Sequence, residues 1–129
     1  MSKTKITLTF DDSLAGTLDT GYNQVNIGRK GLRPYEMLLG ALGSCYYYTF
    51  LDIINKMRLH YRKITMEIEG EKREEVPTHL KTATIYFTVE GIEDEDKVAK
   101  AAELSQKYCS IYYTLSQVAE LSVKMKFIP

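Results

Sequence analysis

The longest apolar run of the chain lies between residues 31 and 57 and predicts a central helix. Pro34 suits the first turn of a helix, because its φ is already helical and its missing N–H is not needed there. Glu36 follows in that turn, where a carboxylate favours the positive end of the helix dipole. Apolar side chains cover most of the circumference, which predicts burial on most sides. Interruptions by Gly, Ser and Tyr, and the charge of Asp52, argue against a membrane span.

Alternation of apolar and polar residues predicts strands on both sides of this helix. The first strand alternates strictly and is expected to be half-buried, with Ile6, Leu8 and Phe10 on one face. The predicted strands cover residues 3–12, 14–18, 22–27, 64–71, 79–90 and 120–128. The inner faces of the last two are expected to be Ala83, Ile85, Phe87 and Val89, and Leu121, Val123, Met125 and Phe127.

Two further helices are predicted before the last strand. The first covers residues 94–108, and Asp94 or Glu93 can cap its N-terminus. Cys109 follows where this helix should end or bend. Ser110 is expected to cap a short helix that continues through Val118.

This order of elements predicts an α+β fold, in which a largely antiparallel sheet packs against helices gathered on one side. The chain shows no repeat, low-complexity segment or linker, so residues 1–129 are predicted to form one domain. A central helix this apolar has more surface than one small sheet can cover. We therefore expect a symmetric homodimer.

Composition excludes several kinds of function. The 17 basic and 17 acidic residues give a formal net charge of zero, which argues against a nucleic-acid partner. No secretory signal is visible, so we expect a cytoplasmic protein without a structural disulfide. His60 and His79 are isolated, and no Cys/His spacing suits zinc. A phosphate loop and a dinucleotide fingerprint are absent from the sequence, and we expect no metal and no cofactor.

The two cysteines, Cys45 in the central helix and Cys109 after the second helix, are the main candidates for chemistry. A thiol reacts as the thiolate, and burial among apolar groups raises its pKa. A reactive role therefore needs a nearby cation or a helix N-terminus. The alternative is a pair of inert buried thiols, since free cysteine is among the most buried residue types.

Tyrosines are concentrated around both cysteines. Six of the ten flank them, namely Tyr46, Tyr47, Tyr48, Tyr108, Tyr112 and Tyr113. Tyrosine combines an apolar ring with a polar tip and suits the wall of a partly wet pocket. The substrate-binding candidates are Tyr46, Tyr48, Tyr108 and Tyr112. The alternative is that these rings only fill the core and a dimer contact.

Two motifs resemble a known family. The run G-x-R-P-x-E-M-L-L-x-A-L-G-S-C at residues 31–45 resembles the signature of the OsmC/Ohr family of thiol-dependent hydroperoxide reductases. The run K-Y-C-S-I at residues 107–111 resembles that family's second cysteine motif. The resemblance covers nearly the whole chain, because the order of strands and helices also agrees.

The resemblance implies an intertwined homodimer with two sites at the subunit interface. It implies that Cys45 attacks the peroxide O–O bond and becomes a sulfenic acid. Cys109 would then resolve it as a disulfide, and an external dithiol would restore both thiols. The implied substrate is an organic hydroperoxide.

The sequence departs from the peroxidase branches near the motif proline. Those branches carry a carboxylate directly after it, which helps to hold an arginine over the thiolate. Here Tyr35 stands in that place and Glu36 comes one residue later, while no arginine precedes Arg29. We expect Arg29 and Arg33 to substitute for the arginine, with Glu36 as the candidate carboxylate. The alternative is that all three are solvated charges.

Two function classes follow from the sequence. The first is a cysteine-based peroxidase that acts on organic or fatty-acid hydroperoxides. The second is a binding protein that uses the same pocket for a small apolar or thiol-bearing ligand.

Overall fold

The structure, a computed structural model, describes residues 3–129. The elements in chain order are β1 (Thr7–Phe10), β2 (Ala15–Asp19), β3 (Gln24–Gly28), α1 (Pro34–Lys56), β4 (Lys63–Lys72), β5 (Leu80–Glu90), α2 (Glu95–Tyr108), α3 (Ser110–Ser116) and β6 (Glu120–Ile128). The predicted α+β class is confirmed. The chain divides into an N-terminal unit that ends at Leu38 and a C-terminal unit, Leu39–Pro129. The expectation of one domain stays a prediction.

The N-terminal unit contains an antiparallel meander in the order β1-β2-β3. At the turn between β2 and β3, the backbone N–H of Gly21 donates to Asp19 Oδ1 at 2.7 Å, and Gly21 has a φ of +101° that favours glycine. The prediction that the first strand is half-buried is wrong, because Leu8 is 47% exposed and Phe10 is 60% exposed. A three-stranded sheet by itself offers no second layer to bury these side chains.

The C-terminal unit contains a second sheet in the order β4-β5-β6. β4 and β5 form an antiparallel hairpin, whereas β6 runs parallel to β5. The sequence analysis expected a single, largely antiparallel sheet, and within residues 3–129 there are two sheets with one parallel pair. The parallel pair follows from the connection, since α2 and α3 form a crossover long enough to return the chain to the same end of the sheet.

The core of this unit lies between α1 and β5. The inner face of β5 is buried as predicted, with Phe87 and its same-face neighbours at its centre. Phe87 contacts two rings of α1, because its ring centroid lies 4.9 Å from that of Phe50 and 5.5 Å from that of Tyr46. Helix and sheet approach closely at Gly43, where an added Cβ would lie 2.7 Å from Ile68 Cδ1.

Within the single chain the central helix is buried along one face, and burial of its other sides by a second subunit stays a prediction. The buried residues of α1 are Leu42, Gly43, Tyr46, Phe50 and Ile54, which form one stripe. One small sheet and α2 can cover only that stripe. By length and composition alone α1 could cross a membrane, and the core helix of a soluble protein meets the same criterion. The expectation that α1 is not a membrane span stays a prediction.

A sharp bend at Cys109 joins α2 to α3. Asp94 caps α2 as predicted, and its side chain accepts from the backbone N–H of Lys97 at 3.1 Å. Cys109 ends α2 in an extended conformation and is also the N-cap of α3. The expectation that Ser110 caps the short helix is therefore wrong. The cap is the residue with non-helical dihedrals, and Ser110 is already the first helical residue.

We expect Phe87→Ala to lower the free energy of unfolding by about 3–5 kcal/mol, because it removes a buried ring that contacts two others. Urea denaturation measures this loss. Tyr86→Ala is the matched control, since Tyr86 lies on the exposed face of the same strand. The packing described above would be contradicted if both substitutions cost the same free energy.

Candidate functional site

The structure brings Cys45 and Cys109 together. Cys45 lies in the middle of α1 and is half-buried, whereas Cys109 lies at the α2–α3 bend and is fully buried. The Cys109 thiol donates to Cys45, and the two Sγ atoms are 3.2 Å apart. Both thiols are free. Because a disulfide needs a separation of about 2 Å, a small local movement would join them.

Several donors at the start of α3 surround the Cys45 sulfur. Ser110 Oγ lies 3.8 Å from Cys45 Sγ, and the backbone N–H groups of Ser110 and Ile111 are placed so that they lower the pKa of this thiol. Partial burial raises the pKa of the Cys45 thiol. The hydrogen bonds from Ile111, Cys109 and Ser110 outweigh that burial, so the net pKa lies below the ordinary value. Within the C-terminal unit, Leu39–Pro129, only hydrogen-bond donors lower this pKa, and no cationic side chain contributes.

Cys109 has the opposite character. Burial raises the pKa of its thiol, and the hydrogen bond to Cys45 and the charge of Cys45 raise it further. Backbone N–H groups of Tyr112 and Ile111 offset part of that increase, and the Tyr112 N–H lies 3.4 Å from Cys109 Sγ. The site therefore pairs a half-buried thiol whose pKa is lowered with a buried thiol whose pKa is raised.

The four candidate tyrosines divide into two pairs. Tyr46 and Tyr112 are buried with ring centroids 6.2 Å apart, and their hydroxyls donate to Ala102 O at 2.8 Å and to Gln106 Oε1 at 3.3 Å. Both hydroxyls thus have hydrogen-bond partners within the protein. Tyr48 and Tyr108 are each 63% exposed and remain available to a ligand. Substrate binding by any of the four stays a prediction.

The remaining candidates, Arg29, Arg33 and Glu36, lie in the N-terminal unit and are exposed. Glu36 Oε1 accepts from the backbone N–H of Arg33 at 2.8 Å, as one half of a capping box at the start of α1. In the part of the chain that the structure describes, neither guanidinium group forms an ion pair. Their catalytic roles stay predictions.

Sequence reasoning missed the donors of residues 110 and 111. The signal was present, since a cysteine placed directly before a short helix exposes its sulfur to the unpaired N–H groups of the first turn. Across residues 3–129 no group of three or more His, Cys, Asp and Glu side chains is placed to hold a metal ion. The chemistry that this arrangement supports is that of two unequal thiols.

The chain is similar to a known protein family and to a curated protein. A protein-family profile described as OsmC-like protein matches residues 27–124. Protein YhfA of Escherichia coli (strain K12) is 32% identical over 99 residues, which are 75% of this chain and 74% of that protein.

Two solved structures share the fold. One is an OsmC-like protein from Mycoplasma pneumoniae, with a TM-score of 0.91, 17% identity and 99% of each chain covered. The other is an organic hydroperoxide resistance protein, OsmC, from Legionella pneumophila, with a TM-score of 0.78, 9% identity and 98% of each chain covered.

We expect the two thiols to titrate in a fixed order. The pKa of Cys45 is lowered and that of Cys109 is raised, so the pH midpoint of alkylation should be lower for Cys45 than for Cys109. Iodoacetamide labelling across a pH series, followed by peptide mapping, measures both midpoints. The midpoint reports the ionisation of each thiol, whereas the plateau rate at high pH reports its accessibility. Protein unfolded in urea is the control, where the midpoints should coincide. Equal midpoints in the folded protein, or a lower one for Cys109, would contradict the electrostatics described here.

Proposed function

The chain belongs to the OsmC-like protein family, and we propose that it is a thiol-dependent peroxidase that reduces organic hydroperoxides through Cys45 and Cys109. One observation carries the proposal, namely the Sγ–Sγ separation of 3.2 Å between a half-exposed and a buried thiol. An accessible thiolate beside a protonated thiol is the pair that a two-step peroxide reduction needs.

The proposed reaction has three steps. The Cys45 thiolate attacks one oxygen of the O–O bond, which gives a Cys45 sulfenic acid and an alkoxide that takes up a proton as the alcohol. Cys109 then attacks the sulfenic sulfur, and the disulfide forms with loss of water. Finally, an external dithiol donates two electrons and two protons, which restores both thiols and leaves the reductant as a disulfide. Cys109 is fully buried, so the external thiol is expected to attack the Cys45 sulfur.

Exposed tyrosines close in sequence to the two cysteines support an organic substrate. The exposed rings of Tyr48 and Tyr108 offer apolar surface with polar tips, which suits an alkyl or aryl hydroperoxide better than hydrogen peroxide. The name of the Legionella protein refers to organic hydroperoxide resistance, and we extend that activity and a part in the stress response to this chain as a proposal. We place the protein in the cytoplasm, where dithiols keep such a pair reduced.

We further propose that the working form is a homodimer. Several large apolar side chains of the N-terminal unit are exposed in the single chain, among them Leu8, Phe10, Leu14, Tyr22 and Leu32. Exposed apolar surface of this kind is typical of protein–protein contacts. A second copy of the chain is the partner that a symmetric contact would supply.

One observation favours a second candidate function. Glu36 caps α1 through the Arg33 backbone N–H, and within Leu39–Pro129 only hydrogen bonds lower the pKa of Cys45. A thiol without a cationic partner is less activated, which suits a binding protein for a small apolar or thiol-bearing ligand. The two functions differ in whether Cys45 reacts rapidly with a hydroperoxide.

We expect reduced protein treated with a small excess of tert-butyl hydroperoxide to lose two hydrogens rapidly, with Cys45 and Cys109 linked in the peptide map. The expectation follows from the short distance between their sulfurs. Intact mass spectrometry and peptide mapping measure it, and Cys45→Ser is the control that should not react. If both thiols of the wild type stayed reduced, the peroxidase would be excluded and the binding protein favoured.

We expect Arg29→Gln combined with Arg33→Gln to slow the oxidation of Cys45 by about tenfold or more, if either arginine replaces the family's arginine. A cation that lowers a thiol pKa by one unit changes the thiolate fraction by about that factor. Stopped-flow kinetics with tert-butyl hydroperoxide measure the rate. Lys30→Gln is the matched control, because Lys30 is an exposed cation of the same loop. An unchanged rate in the double variant would show that neither arginine takes this role.

A further inference from the structure

The geometry points to the Ser110 hydroxyl as a further residue of the reaction, a hydrogen-bond donor that holds Cys45 as the thiolate. Ser110 Oγ lies 3.8 Å from Cys45 Sγ, within the range of a hydrogen bond to sulfur. The inference rests on the proposed function, in which Cys45 reacts as a thiolate. The sequence analysis treated Ser110 only as a helix cap, and the cap is Cys109 instead.

The position of Ser110 in α3 leaves its hydroxyl free for this contact. Exposed serines in helices usually donate to a carbonyl of the preceding turn, and two serines here do so: Ser44 Oγ donates to Ala41 O at 3.3 Å and Ser116 Oγ donates to Tyr113 O at 2.6 Å. Ser110 is the first residue of α3, so its own helix has no preceding turn. Among residues 3–129 its hydroxyl has Cys45 Sγ as its hydrogen-bond partner.

The backbone of Ser110 is held in place while its side chain contacts the sulfur. Its carbonyl accepts from Thr114 Oγ1 at 3.0 Å, and the preceding Cys109 caps the helix through the Tyr112 N–H. Substitution of the hydroxyl therefore leaves the turn intact, because neither of these contacts uses it.

Ser110 is also the side-chain donor that can persist through turnover. The titratable group that faces Cys45 is the Cys109 thiol, which donates to it across 3.2 Å. In the proposed reaction Cys109 loses that proton when it attacks the sulfenic acid. The other donors are the backbone N–H groups of Ser110 and Ile111, and no charged side chain of the C-terminal unit, Leu39–Pro129, takes part. The Ser110 hydroxyl is not consumed in any step.

The test compares three variants of the full chain. We expect Ser110→Ala to raise the pH midpoint of Cys45 alkylation by about half to one unit, which lowers the thiolate fraction below the midpoint by about threefold to tenfold. The plateau rate at high pH should rise by about 1.6-fold to threefold, because thiolate nucleophilicity increases with pKa with a Brønsted slope of about 0.4–0.5. Ser110→Thr keeps the hydroxyl and should retain the wild-type midpoint. Ser44→Ala is the matched control, since Ser44 is beside Cys45 but donates to its own helix.

The inference would be overturned if Ser110→Ala moved the midpoint no further than Ser44→Ala. It would equally be overturned if Ser110→Thr moved it as far as Ser110→Ala, because the hydroxyl would then not be the cause. Alkylation needs no peroxide, so the two claims fail separately. If Ser110→Ala shifts the midpoint but the protein does not react with tert-butyl hydroperoxide, the peroxidase function is excluded and the role of Ser110 stands. If the protein reacts but the midpoint does not shift, only the role of Ser110 is excluded.

Discussion

The bend at Cys109 is the constraint on which the candidate site depends. One residue ends α2 and caps α3, so the backbone N–H groups of the first turn of α3 lie beside sulfur rather than beside a serine or aspartate oxygen. Cys109 accepts from Tyr112. Cys45 of α1 lies beside the same turn. The Ser110 hydroxyl and the backbone N–H groups of Ser110 and Ile111 lower the pKa of its thiol. The N–H groups at the start of α3 thus lower the pKa of Cys45 and offset part of the increase in the pKa of Cys109.

The two thiols differ because their burial differs within this shared set of donors. Burial dominates at Cys109 and raises its pKa, whereas hydrogen bonds dominate at the more accessible Cys45 and lower its pKa. The core supports this difference. Phe87 of β5 packs against Phe50 and Tyr46 of α1, and Tyr46 also packs against Tyr112 of α3. These contacts hold α1 in place beside α3. Tyr46 also donates to Ala102 O, which ties α1 to α2 just before the bend. The packing of the core and the position of the Cys45 thiol therefore depend on the same stretch of α1, residues 45–50.

Local pattern was sufficient for some of this structure. Alternation along 79–90 identified the buried face of β5, and residues 120–128 matched β6 at both ends. Pro34 and Glu36 correctly indicated where α1 begins. The cysteine motifs, through their resemblance to a known family, indicated the fold and the pair of thiols. These features succeed because each is decided by residues close together in the chain.

The features that failed depend on distant contacts. Alternation cannot tell which strands share a sheet, so two three-stranded sheets were taken as one. It cannot tell which apolar faces are covered within the single chain, where β1 is exposed and α1 is buried along one stripe. Tyr46 and Tyr48 are the same residue type with opposite exposures, which only packing decides. The most direct test of the account is to trap the first oxidation product in the Cys109→Ser variant, using dimedone and one equivalent of tert-butyl hydroperoxide. The account predicts a sulfenic acid adduct on Cys45, and the absence of any adduct there would contradict it.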